Sequence, residues 1–83
     1  MISIAWYNKK DWLRLLEIID DKESMPETWE EWHSSYLKVK MELISHGISV
    51  NDFVVDIDDL ISYCVRLGIK NDGKARSQFV SRP

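Results

Sequence analysis

Pro26-Glu27-Thr28-Trp29-Glu30-Glu31-Trp32 opens the longest helix-periodic apolar stretch of the chain. Thr28, followed three positions later by Glu31, forms a capping box. The hydroxyl and the carboxylate each satisfy a backbone N–H that a first helical turn leaves without a partner. Beyond the cap, Trp29, Trp32, Tyr36, Val39 and Leu43 recur at helical spacing, and Leu37, Met41 and Ile44 widen the stripe. This pattern predicts one amphipathic helix from Trp29 to about His46. Gly47 suits the left-handed position that ends a helix, with Ile48 placed to contact Leu43.

Working back toward the N-terminus, Asp20-Asp21-Lys22-Glu23-Ser24-Met25-Pro26 reads as a polar connection too charged to pack. Before it, Trp12, Leu15, Leu16 and Ile19 fall at i, i+3, i+4 and i+7, which predicts a helix over about residues 9–20 capped by Asn8. Ile2, Ile4 and Trp6 alternate with Ser3, Ala5 and Tyr7, the pattern of a half-buried strand ending at Asn8.

Working forward, Ser49 to Val55 reads as a second strand, with Phe53, Val55 and Ile57 on one face and Val54 on the other. Asn51-Asp52 interrupts it, as a bulge or a later strand start would. Asp56 caps a third helix with Asp58 and Asp59 in its first turn, where the helix dipole favours acids. Its inward stripe is Leu60, Ile61, Cys64 and Leu67, and Gly68-Ile69 ends it. Asn71 or Asp72 starts a short last helix with Ala75, Phe79 and Val80 inward, after which Ser81-Arg82-Pro83 should fray. The expected architecture is a single α+β domain over residues 1–83, a two-stranded sheet with about four helices in the order β-α-α-β-α-α. A two-stranded sheet is marginal alone in water. Either helices cover it, or two copies join edges.

Eighty-three residues, 45% hydrophobic and including four tryptophans, suit a folded domain with a small core. A homodimer is the expected supplement to that core. The net charge of −3 argues against generic binding to nucleic acid or anionic membrane. Cys64 is the single cysteine, which excludes an internal disulfide and fits a reducing compartment. Met1-Ile2-Ser3-Ile4-Ala5 lacks a charged leader, and no stretch approaches the roughly 18–20 apolar residues of a membrane span. The expectation is a cytoplasmic protein without membrane contact.

Trp29, Trp32, His33 and Tyr36 share one side of the long helix, with Glu30 and Glu31 beside them. Such a group can form an aromatic pocket rimmed by carboxylates for a cationic or planar ligand, or for a protein partner. The plainer reading makes the aromatics core and the glutamates helix-dipole partners. Charge is unevenly spread: residues 1–60 carry 6 basic and 13 acidic side chains, and residues 61–83 carry 5 basic and 1 acidic. Arg66, Lys70, Lys74 and Arg76 are therefore the candidates for a nucleic-acid alternative, against the plainer reading of a solvated face. The span Ile61–Phe79 only superficially resembles a helix-turn-helix. Lys74 falls where an apolar lock is needed, and Asp72-Gly73 opens a recognition helix poorly.

Asp56, Asp58 and Asp59 lack the spacing and terminal Glu of a calcium loop, and His33, His46 and Cys64 have no zinc spacing. Gly47, Gly68 and Gly73 form no phosphate loop. No cofactor or metal is expected, and Cys64 reads as a buried thiol. With no paired catalytic constellation, the leading expectation is a small non-enzymatic binding or adaptor protein. Its contact surface would be the Trp29–Tyr36 stretch or an exposed strand edge. The alternative is a nucleic-acid-associated regulator using the basic C-terminal helices.

Pro26-Glu27-Thr28-Trp29-Glu30-Glu31-Trp32, Gly47, the Asp56 cap, Tyr63-Cys64, Gly68 and Ala75-Arg76 together carry a resemblance. Along nearly its whole length the chain resembles a group of small uncharacterised bacterial proteins with a Pro-x-Thr/Ser-aromatic-Glu-Glu-Trp motif and an aromatic-Cys pair. Proteins of this sort are often carried on mobile gene cassettes such as integrons. The resemblance implies a compact bacterial domain and no catalytic residue.

Overall fold

The computed structural model describes residues 1–82. Two strands, β1 (Ile2–Trp6) and β2 (Val50–Val54), pair in parallel, with Ile2 opposite Val50 and Trp6 opposite Val54. Four helices accompany them: α1 (Trp12–Ile18), α2 (Trp29–Ser45), α3 (Ile57–Leu67) and α4 (Gly73–Val80). The architecture is α+β in the order β-α-α-β-α-α. Parallel strands need a long crossover, and α1 with α2 supplies it.

Local signals set most of the boundaries. Thr28 Oγ1 accepts from the Glu31 N–H at 3.2 Å and donates to the Glu31 carboxylate at 3.0 Å. Asp56 accepts from the Asp59 N–H at 3.1 Å, and Asp72 from the Ala75 N–H at 3.0 Å. Gly47 and Gly68 take positive φ, 77° and 65°, and close α2 and α3. The Ile48 N–H then reaches back to the Leu43 carbonyl at 3.1 Å, and the Ile69 N–H to that of Cys64 at 3.0 Å.

The sheet is covered on both faces. Ile4 and Trp6 stand on the face that α2 crosses, while Ala5 and Phe53 face the core made with α3 and α4. That core gathers Leu15, Leu16, Val55, Ile57, Leu60, Cys64, Ala75 and Phe79. Phe79 meets Phe53 edge to face at 5.7 Å and Tyr63 at 5.4 Å.

Several expectations need correction. A single 3-10 turn (Lys9–Asp11) precedes α1, and Asn8 caps neither; its Oδ1 instead accepts from the Trp6 indole at 3.4 Å. The β1–β2 register runs unbroken through Asn51 and Asp52, so there is no bulge. Asp52 stays in the strand because Tyr36 and Lys40 bond its carboxylate. Leu67 is not on the α3 core stripe but 52% exposed, and Tyr63 takes that place. The distal half of α2 is open as well, with Met41 70% and Ile44 54% exposed. Seventeen helical residues extend about 25 Å and five strand residues about 16 Å, so the helix outruns its support.

The segment before α2 is anchored at Asp21 and Met25, while Asp20, Lys22, Glu23 and Ser24 stay exposed as a polar connection would. Asp21 pairs with Arg76, and a second 3-10 turn (Lys22–Ser24) follows it. The Arg82 guanidinium lies 4.3 Å from the Phe79 ring and 5.2 Å from that of Tyr63. Pro83 lies outside the described residues.

Candidate functional site

The α2 aromatics come together as expected, and β1 adds a ring to them. Trp29 stacks on His33 at 4.6 Å, and Trp32 on Tyr36 at 5.4 Å, following the i, i+4 spacing of the helix. Trp6 inserts between the two stacks and meets Trp29, Trp32, His33 and Tyr36 at 6.1, 5.5, 5.6 and 5.1 Å, edge to face in each case. The indole fills the space that an aromatic pocket would have offered. Tyr36 is buried, and Trp29, Trp32 and His33 are half-buried.

Backbone hydrogen bonds fix the rings in place. The Trp29 indole N–H donates to the Tyr7 carbonyl at 2.8 Å, and that of Trp12 to the Glu27 carbonyl at 3.3 Å. Glu30 does not rim the cluster: it reaches Lys9 at 2.9 Å in an exposed ion pair. At the far end of the row, the Tyr36 hydroxyl and the Lys40 ammonium both bond Asp52. Those donors hold the Asp52 carboxyl below the usual range. Burial, and then the Asp52 carboxylate, push the Tyr36 phenol up.

Beside the free edge of β1 runs a groove of about 360 Å³. Ser3, Ile4 and Ala5 of β1, Met25, Trp32 of α2, and Ser77 and Val80 of α4 line it. Trp32 thus belongs to both the aromatic row and the groove. Arg76 and Tyr7 line it as well. Burial pushes the Tyr7 phenol up, and the neighbouring Arg76 charge opposes it.

The four cations of the C-terminal segment do not act together. Arg66, Lys70 and Lys74 are exposed, but Arg76 is 7% exposed and grips Asp21 with both terminal nitrogens. Cys64 is buried, which pushes its thiol up and away from the reactive thiolate. Among the described residues, no helix is long and apolar enough to cross a membrane.

The sequence offered no sign of the groove. Ser3, Ala5, Ser77 and Val80 acquire their shared role only because α4 lies along β1, a placement that no local spacing encodes. Trp6 was readable as a strand residue facing one side, but not as the ring on which the α2 aromatics converge. No protein-family model matches this chain, and no curated protein or solved structure matches it significantly.

Proposed function

We propose that the chain is a small non-enzymatic binding or adaptor protein of the cytoplasm. Its contact surface would join the α2 aromatic row to the groove along β1. The observation that carries this reading is the position of Trp32, half-buried, in both features at once. Large aromatics at the edge of a concave surface are the residues around which contact energy concentrates. Membership of the small bacterial group described above, and a mobile-cassette origin, belong to the same proposal.

Capture from a host lysate tests it. The immobilised full chain should retain a protein partner, and Ser77→Trp, which fills the groove from an exposed helical position, should lose it. Retention of nothing would sink the reading. The nucleic-acid alternative rests on Arg66, Lys70 and Lys74, with Arg76 withdrawn. A mobility shift whose affinity falls steeply with salt is the result that would favour it.

A further inference from the structure

Consecutive residues of a strand turn their backbone polar groups alternately to its two sides, so one set in β1 must face away from β2. The Ile2 N–H donates to the Ser49 carbonyl at 2.9 Å, and the Val55 N–H to the Trp6 carbonyl at 2.9 Å. These two bonds identify Ile2, Ile4 and Trp6 as the residues bonded to β2. Ser3 and Ala5 turn their N–H and C=O groups to the other side, where no third strand lies and no described residue bonds them. Tyr7, next in that outward series, shows what the edge accepts: its carbonyl takes the Trp29 indole N–H.

These unpaired groups open into the groove rather than onto a flat surface. Its walls are mainly apolar or hydroxylic, and among the described residues its one charged lining side chain, Arg76, is already paired with Asp21. Among the described residues, the site therefore offers directed main-chain donors and acceptors, apolar walls and no unanswered charge. We infer that the groove takes an extended, uncharged peptide segment of a partner protein, which adds a third strand beside β1. Main-chain pairing would supply affinity, and the walls would select small or apolar side chains. From Ser3 to Tyr7 the edge runs about 13 Å, room for four or five residues. This inference rests on the binding-protein reading above and names the partner's chemistry.

A second copy fits the same edge poorly. Side chains of α2 and α4 flank β1, which hinders two such edges from approaching each other more than it hinders a flexible segment.

The test uses the full chain and a displayed library of random uncharged heptapeptides. The strongest binder is synthesised and titrated into 15N-labelled protein. Expected are a micromolar Kd, large shifts and new exchange protection at the Ser3 and Ala5 amides, and smaller changes at Ile4, which is already bonded to β2. Ser77→Trp should weaken binding at least tenfold while leaving the thermal melt intact. Ala5→Pro removes an outward N–H and no β1–β2 bond, so it should do the same if it folds. Undiminished binding to folded Ser77→Trp would overturn the inference and leave the binding-protein reading standing. So would concentration-dependent protection of Ser3 and Ala5 without peptide, because a second copy would then hold the edge. Failure to select any peptide, with a lysate partner still retained, would overturn the inference alone; failure of both would remove both readings.

Discussion

The Arg76 guanidinium grips both carboxylate oxygens of Asp21, at 2.8 and 2.7 Å, across 55 positions of sequence. Around this pair the Arg76 guanidinium also donates to the Asn71 carbonyl at 3.1 Å, and the Gly73 N–H donates to Asp21 at 3.1 Å. The Asp20 N–H reaches the Asn71 carbonyl at 2.9 Å, and the Asn71 N–H returns a bond to the Asp20 carboxylate at 2.7 Å. The cluster fastens the segment before α2 to the start of α4, and with it Arg76, which lines the groove.

Removing one partner strands the other. Asp21→Ala leaves a buried guanidinium without its counter-charge and should cost about 3–5 kcal/mol. Pairing it with Arg76→Met should restore a large part of that loss. Urea unfolding of the two single variants and the double variant decides the matter, and simple additivity of the losses would refute a coupled pair.

Acid should weaken the fold through Asp21 and Asp52. The Arg76 hydrogen bonds, aided by Ser24, hold the Asp21 carboxyl below its ordinary range although burial pushes the other way. A carboxyl lowered in the folded state stabilises above its unfolded value, about 3.9, and loses that contribution as pH falls through the folded value. Urea midpoints should thus be nearly level above about pH 5 and drop below about pH 4. Asp21→Asn should show a shallower acid slope than the parent chain.

Truncation should cost much beneath the proximal half of α2 and little on its distal half. Trp6→Ala removes the ring shared by four others and should cost about 3–5 kcal/mol. Met41→Ala, on the open distal half, should change stability by less than about 0.5 kcal/mol. Thermal melts of both variants suffice, and a large loss at Met41 would mean that the distal half is covered in solution.

Gly68→Ala should destabilise although it meets no obstruction. A Cβ at Gly68 would find nothing within 4 Å, so the cost is purely that of a left-handed backbone at φ +65°. The expected loss is about 1–2 kcal/mol, and Gly68→Asn should lose less because asparagine tolerates that region. Equal losses for the two variants would point to a steric cause instead.

Much of the fold was legible because its signals are local. Thr28, Asp56, Asp72, Gly47 and Gly68 each act within about one turn of helix, and the structure uses all five as caps or terminators. Long-range relations were not legible. Nothing near Asp21 announces Arg76, so a charged connection looked solvated. The exposure of Met41 and Ile44 follows from the length of the sheet beneath them, which the helical stripe cannot report. The site was legible in part: i, i+4 spacing placed the α2 rings together, but the indole filling their space comes from the opposite end of the crossover.

Because β1 and β2 run parallel, each of their pairings joins positions 48 apart. No hairpin can nucleate this sheet, and closing so long a loop is an entropic cost met before the first rung rewards it. On the ribosome, β1 must therefore wait for nearly fifty further residues to be made before its neighbour arrives. Until then the main-chain groups of Ile2, Ile4 and Trp6 that will bond β2 have only water to satisfy them.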